Sequence, residues 1–502
     1  MFKRHALVGA IAAIVLLVGA SPVGAGSSSA GGTQSYLVVF AGDYAVDSTY
    51  AVGGGYAVLC NYAVLSGYAV TCDYAVAHDY AVSLVETAGG TVTSDLLDQI
   101  GVLVVESSSA LFDDLVRTYA VVQEVGEDFA AGRVPGGGPE PSSDPLEGMQ
   151  WSMQMIQAPE AHAVQAGSRL VEVGILDTGI DGTHADFVGR DGTSNVDCAK
   201  GRDSVDHVFD GGPGVGAPGA PCVDNGFHGT HVAGIVGARA NGLGIVGVAP
   251  NVTLVPVKVC DTSGHCYASA VVDGITYAGD MKFEVVNMSF FVDDDETLAS
   301  TEFKCMDDPK QRAFRRAVER ALQYARSQGV VPVAALGNSD KDLAHPAEGN
   351  QCDVVPAESS GVVGTMALGS QKQKAGYSNY GFGATDVAAP GGTSTGDPTR
   401  GVLSAFPGNS YAAISGTSMA SPHAAGVAAL IVSQFGALGS DGDVKMAPTS
   451  VESILQSTTI DQGLAGYDEC FGNGRVNALR AVQKDTSSVY DAVAPFCPEY
   501  AE

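Results

Sequence analysis

Four residues in this chain, each set among small neighbours, could together attack and cleave a carbonyl compound: Asp177, His228, Asn338 and Ser418. Ser418 lies in Gly416-Thr417-Ser418-Met419-Ala420-Ser421-Pro422-His423, ahead of an alanine-rich, helix-forming run. A serine at a helix N-terminus can aim its Oγ and its own backbone N–H at one substrate group. The hydroxyl alone is a poor nucleophile, so a base and an orienting acid must come from elsewhere. His228 opens His228-Gly229-Thr230-His231-Val232-Ala233-Gly234. It can take the serine's proton provided a carboxylate fixes its tautomer. A lone histidine more often satisfies a local hydrogen bond, and that plainer role is expected of His231. Asp177-Thr178-Gly179 closes the apolar run Val173-Gly174-Ile175-Leu176. A carboxylate at the carboxyl edge of a parallel strand points into the crevice where such sheets bind ligands. Asn338 follows Val333-Ala334-Ala335-Leu336-Gly337, where its amide can donate to a developing oxyanion. Taken singly, Asp177 and Asn338 could equally be turn residues.

The elements that must position these residues are legible as runs. Residues 171–176, 252–259, 285–290 and 330–335 are apolar enough for buried strands. Helical segments are expected at 229–240, 312–328 and 418–435. In the second of these, Phe314, Ala317, Val318, Ala321, Leu322 and Ala325 recur at helical spacing before Gly329. Strands apolar throughout and separated by helices imply an α/β fold, mainly a parallel sheet with helices on both faces. A smaller α+β unit precedes it, with strands near 36–40, 102–106 and 121–125 and a helix near 110–117.

With 502 residues there is room for a large core and smaller parts. The formal net charge of −30 repels nucleic acid, so no nucleic-acid partner is expected. Excess carboxylates offer oxygen ligands, which makes structural calcium possible on composition alone. Lys3, Arg4 and His5, the apolar run 6–20 and Val23-Gly24-Ala25 read as a signal peptide over residues 1–25. No later continuous apolar span follows, so a free extracellular protein without a stable membrane anchor is expected. Ten cysteines agree with export. Leaving Cys60 and Cys72 aside, pairing of sequence neighbours would join 198 to 222, 260 to 266, 305 to 352 and 470 to 497. Sequence alone cannot choose among the possible pairings. No paired CxxC motifs suggest zinc. Tyr-Ala-Val recurs seven times at six-residue spacing from Tyr44 to Tyr80. Its spacers share no pattern, which favours an expansion in a tolerant loop over a solenoid or adhesive tract. Residues 130–145, rich in Gly, Pro and Ser, read as an exposed linker.

The order Asp, His, Asn, Ser, with these neighbours, resembles the subtilisin-like serine peptidases, or subtilases. Gly247-Val248-Ala249-Pro250, Val286-Asn287-Met288-Ser289, Ala389-Pro390-Gly391 and Gly474-Arg475-Val476 add to the likeness, which runs from about Trp151 to Val482. It implies a secreted serine endopeptidase acting on proteins or peptides through an acyl-enzyme and needing no cofactor for the chemistry. Ser418 would be nucleophile, His228 base and then acid, and Asp177 its orienter, with Asn338 and the Ser418 N–H holding the oxyanion. Ser289 and its strand would grip substrate as an added β-strand, and Phe290, Leu336 and Gly337 would shape the side-chain pocket. The likeness also implies residues 26–128 as an inhibitory, chaperone-like prodomain carrying the repeat insertion at 44–82. A linker and processing region at 129–148 and a catalytic domain at 149–502 would follow, in a self-processing zymogen expected as a monomer. Phe290-Phe291-Val292 and the acidic run 293–296 depart from the family's usual Leu-Gly-Gly continuation, and Leu336 stands where a smaller residue is common. Metal ligands are unknown from sequence. Two rivals are weaker. An aspartic peptidase needs two paired carboxylates, and Asp261-Thr262-Ser263-Gly264 is a poor second copy of Asp-Thr-Gly. A non-enzymatic binding protein would not need all four positions filled.

Overall fold

The computed structural model describes residues 34–40, 56–61, 71–76, 78–97, 101–119, 122–127, 130–133, 146–205, 220–262, 264–290, 304–305, 309–344, 352–439 and 444–491. At its centre are seven strands. From one edge they run Val387–Pro390, Val363–Leu368, Val331–Ala335, Val285–Met288, Glu172–Asp177, Thr253–Lys258 and Arg202–Asp203. All neighbours pair in parallel. Alternation of side chains along each strand supplies two cores. Val173, Ile175, Val285, Val333 and Ala389 join the helices His228–Gly237 and Thr417–Phe435 in one buried cluster. Leu176, Val257, Val286, Met288 and Leu368 join Ala268–Met281 and Pro309–Ser327 in the other. The expected α/β architecture with helices on both faces is therefore present. From Glu172–Asp177 the chain builds outward first on one side and then on the other, so a crevice opens between that strand and Val285–Met288 at their carboxyl ends.

The smaller unit is a four-stranded antiparallel sheet ordered Gly90–Leu96, Val102–Ser107, Gln34–Phe40 and Val122–Glu127. Its core includes Ala81 and Val85 of a helix at His78–Thr87, which sequence periodicity did not reveal. The last Tyr-Ala-Val copy thus belongs to a helix. The copies beginning at Tyr56 and Tyr74 lie instead in paired strands, with Cys60 opposite Cys72, and the remaining four fall outside the described residues. One tripeptide in two secondary structures argues against a uniform solenoid over the described part.

The other face of the small sheet docks on Pro309–Ser327. Leu37, Val39, Leu96, Val102 and Val104 share a buried cluster with Phe314 and Val318. Around it, Glu124 accepts from Arg312 Nε at 3.0 Å and Arg316 Nη1 at 2.6 Å, and Arg320 donates to Gln123 at 2.8 Å. Beyond the sheet, Ala130–Arg133 pairs antiparallel with His265–Tyr267. Disulfides join Cys198 to Cys222 and Cys260 to Cys266, as expected. Cys305 faces Cys352 across a short ladder, and Cys470 is disulfide-bonded. Residues 1–25 and Cys497 lie outside the described residues.

Candidate active site

Asp177 is the last residue of its strand and His228 the first of its helix. They meet because the intervening backbones touch. Gly179 adopts φ 110°, and a Cβ added to Gly229 would lie 2.0 Å from the Gly179 carbonyl oxygen. Only glycine at 229 permits that approach. His228 Nδ1 then lies 2.9 and 3.0 Å from the two Asp177 oxygens, with both side chains almost wholly buried. A hydrogen bond from Nδ1 to the carboxylate puts the imidazole proton on Nδ1 and leaves the Nε2 lone pair to accept one. Phe227, left-handed at φ 65°, sets the turn into the helix and stacks on Phe406 with ring centroids 5.3 Å apart.

Asp224 was not singled out from sequence. Its Oδ1 accepts from the Thr178 hydroxyl at 2.8 Å and Gly226 N–H at 2.9 Å, and its Oδ2 from the N–H and hydroxyl of Thr230 at 2.8 and 2.6 Å. Thr178 follows Asp177 and Thr230 lies two residues after His228 in the same helix, so one buried carboxylate joins the two segments. Burial raises its pKa above the ordinary range, and these donors act against that rise.

Ser418 is the second residue of Thr417–Phe435. Residue 422 would normally donate its N–H to the Ser418 carbonyl, but proline has none. The Ser289 hydroxyl fills that acceptor at 2.8 Å, while its own oxygen accepts from Asn287 Nδ2 at 2.8 Å. Asn287 in turn accepts from Ser421 at 2.7 Å. Ser289 therefore turns its hydroxyl inward to brace the helix start. Ser418 Oγ donates to the Ser289 carbonyl at 3.2 Å, and His228 Nε2 is buried without a partner. The Oγ thus makes its hydrogen bond to that carbonyl and none to His228 Nε2; such bonds often form only with substrate in place.

Asn338 accepts at Oδ1 from the Thr417 N–H at 2.8 Å and the Thr417 hydroxyl at 2.9 Å. Those donors settle its amide orientation, leaving Nδ2 as the outward donor. A Cβ built on Gly416 would lie 3.8 Å from that Nδ2 and 3.7 Å from the Ser418 N, so both donors border one spot. The Ser418 N–H belongs to the helix's first turn, which has no partners within the helix. Gly337 N–H donates to the Thr417 hydroxyl at 3.1 Å. Phe290 and Leu336, expected at a pocket, are 2% and 0% exposed within the cluster facing Pro309–Ser327. Both are interior side chains, because the strand ends carrying them already lie under that cluster. Phe291 and the acidic run 293–296 lie outside the described residues.

His231 has the plainer role, with Nε2 3.0 Å from the Ala412 carbonyl, and burial pushes its pKa down to about 3. Burial lowers His423 to about 4, with Nδ1 2.7 Å from the Met419 carbonyl. Both are neutral when folded and take a proton when unfolded below about pH 6.5. The unfolded state therefore binds more protons in that window, and stability falls as pH drops from 6.5 toward 4. His423→Leu is expected to shrink that fall, read as urea midpoints at pH 7 and 4 in an inactive background. An unchanged pH dependence would refute the assignment.

Among the described residues no three His, Cys, Asp or Glu side chains gather as metal ligands. The calcium anticipated from composition has no such cluster there, and Asp177 and Asp224 are committed to hydrogen bonds. No helix among those residues is long and apolar enough to cross a membrane.

Residues 168–474 match the subtilase family. Thermitase of Thermoactinomyces vulgaris is 32% identical over 344 residues, covering 68% of this chain and 99% of that protein. Subtilisin DY of Bacillus licheniformis is 33% identical over 333 residues, covering 66% and 98%. An epidermin leader peptide processing serine protease from Staphylococcus aureus shares the fold at TM-score 0.66 and 18% identity, over 90% of this chain and 98% of that one. The motifs, the parallel sheet and these likenesses agree: the chain belongs to the subtilase family and is a serine endopeptidase.

Proposed function

We propose that this enzyme is secreted as a zymogen, cuts itself free of its N-terminal unit, and then hydrolyses extended polypeptides through an acyl-enzyme on Ser418. The observation that carries the reading is the buried His228, held by Asp177 through Nδ1 with its buried Nε2 left unpartnered. On substrate binding Ser418 Oγ turns from the Ser289 carbonyl to Nε2 and attacks the scissile carbonyl as its proton passes to His228. The tetrahedral oxyanion meets Asn338 Nδ2 and the Ser418 N–H. His228⁺, stabilised by Asp177, returns the proton to the leaving amine, and water repeats the cycle on the ester.

The N-terminal unit reads best as an inhibitory prodomain. It covers the apolar face of Pro309–Ser327 and extends Ala130–Arg133 along the edge His265–Tyr267 in the antiparallel manner of an added strand. Cleavage between residues 129 and 150 would release it. Export is inferred from the sequence of residues 1–25, and a monomer without a nucleic-acid partner remains an expectation to be tested.

A fluorophosphonate supplies the test. It is expected to modify Ser418 alone in mature enzyme, and His228→Ala should slow labelling by orders of magnitude. Labelling elsewhere, or at an undiminished rate without His228, would refute the assignment of nucleophile and base.

A further inference from the structure

Asn338 sits on a loop that leaves the sheet, and a second asparagine holds that loop. Leu336 still ladders to the neighbouring strand, its N–H donating to the Thr365 carbonyl at 3.2 Å. Gly337 then turns at φ 101° and Asp340 at φ 56°. A left-handed φ is costly for a non-glycine residue and is held there by its surroundings. Here the holder is Asn379, 2% exposed. Its Nδ2 donates to the Leu336 carbonyl at 2.9 Å, and its backbone N–H donates to the Gly337 carbonyl at 3.1 Å. Its Oδ1 accepts from the N–H groups of Ser339 at 3.1 Å and Lys341 at 3.0 Å. One buried residue thus bonds the backbone on both sides of Asn338.

Asn379 is itself tied down. Ser378 Oγ accepts from the Ala367 N–H at 2.9 Å, and the Ala375 N–H donates to the Ala367 carbonyl at 2.8 Å. Residues 375–379 are thereby pinned to the strand Val363–Leu368. The Tyr377 carbonyl accepts from the Asp340 N–H at 2.8 Å. The Tyr377 hydroxyl lies 3.0 Å from the Gly391 carbonyl, which also accepts from the Gly416 N–H at 3.0 Å. Gly416 precedes the helix that carries Ser418. One short segment therefore bears on the backbones of both oxyanion donors. The head of the Asn338 side chain is fixed by Thr417 at its Oδ1. That contact sets the direction of Nδ2 only if the Cα end is fixed as well, and Asn379 supplies the bonds flanking that end.

We propose that Asn379 is a positioning residue for transition-state stabilisation. It fixes the backbone at 336–341 so that Asn338 Nδ2 reaches the oxyanion together with the Ser418 N–H. This rests on the reading of Asn338 as an oxyanion donor. Asn379 itself is buried and takes no part in proton transfer. Donors preorganised for a charge that develops only in the transition state act on kcat. A loosened loop therefore lowers kcat and leaves KM almost unchanged, and the loss disappears once residue 338 has no amide to aim.

The test is a double-mutant cycle between Asn379→Ala and Asn338→Ala, read on one peptide substrate of the mature enzyme. Asn338→Ala should lower kcat about 10²–10³-fold. Asn379→Ala alone should lower kcat about 10- to 100-fold, with KM within about twofold. Added to Asn338→Ala, the same substitution should lower kcat by less than about twofold. Precursors too slow to process themselves are matured with tagged parent enzyme, which is removed before assay. Equal factors in the two backgrounds would show a general loss of structure and overturn the proposal. So would an unchanged kcat, or an effect confined to KM. Asn379→Asp keeps the acceptor for Ser339 and Lys341 and loses the donor to Leu336. It should lower kcat severalfold, again only while Asn338 is present, and it decides the matter if the alanine variant does not fold. Failure of the catalytic reading looks different: Asn338→Ala would itself leave kcat at the parent value, and the proposal would fall with it.

Discussion

Ser418→Ala is expected to leave the chain at precursor length, with the N-terminal unit still attached. The substitution removes one oxygen, whose hydrogen bond in the structure goes to the Ser289 carbonyl. The brace from Ser289 to the Ser418 carbonyl, the Asn338 contacts to Thr417 and the Asp177–His228 pair need no Oγ and should persist. Folding is therefore preserved while the acyl-enzyme route is lost. The fall in kcat should be about 10⁶-fold, a size taken from removal of the nucleophile in a subtilisin. Donors to the oxyanion would still give a residual rate above that of water. N-terminal sequencing of the purified variant checks the prediction. A normal mature terminus would mean that another peptidase processes this chain, and the self-processing reading would fail even with peptidase activity intact.

The candidate residues Asp177, His228, Asn338 and Ser418 are legible because each sits in a short contiguous motif whose local structure is a strand end or helix start. Fully apolar strands such as Val331–Ala335 were readable because burial on both faces leaves an unbroken run. Other features depended on packing. The helix Ala268–Met281 buries residues around most of its circumference, so no polar face marked its period. Within it, Asp273 pairs in bidentate fashion with Arg202 of the two-residue edge strand, at 2.6 Å for each contact. Neither partner signals the other in sequence. The inward turn of Ser289 follows from the missing N–H of Pro422, a link visible only once the strand end and helix start are adjacent. Phe290 and Leu336, expected at the pocket, are buried in the cluster that faces Pro309–Ser327, a packing partner that their own motifs do not name.

Asp224 was the largest omission, and removing it should have the second large effect. In sequence it is one more acid in an enlarged, glycine-rich stretch before His228. In space its carboxylate accepts from two backbone N–H groups and two hydroxyls, all buried. Asp224→Ala leaves these four donors without acceptors, and each stranded buried group costs about 1–3 kcal/mol. The hydroxyls can turn to other acceptors, whereas the N–H groups of Gly226 and Thr230 cannot. A total loss of about 3–5 kcal/mol is therefore expected. Asp224→Asn should fall between parent and alanine variant, since one amide oxygen can satisfy only one side of the cluster and the amide nitrogen confronts the other donors. The loss is to be read by urea unfolding in the Ser418→Ala background, where autolysis cannot distort the curve. Activity is read separately in the Ser418 enzyme. Thr178 and Thr230 carry the frame of Asp177 and His228, and a misplacement near 1 Å can cost about 10²-fold in rate. kcat should therefore fall while fluorophosphonate still reacts only at Ser418. A stability change below about 1 kcal/mol would show that water replaces the carboxylate, and that Asp224 does not hold the base and its orienter together.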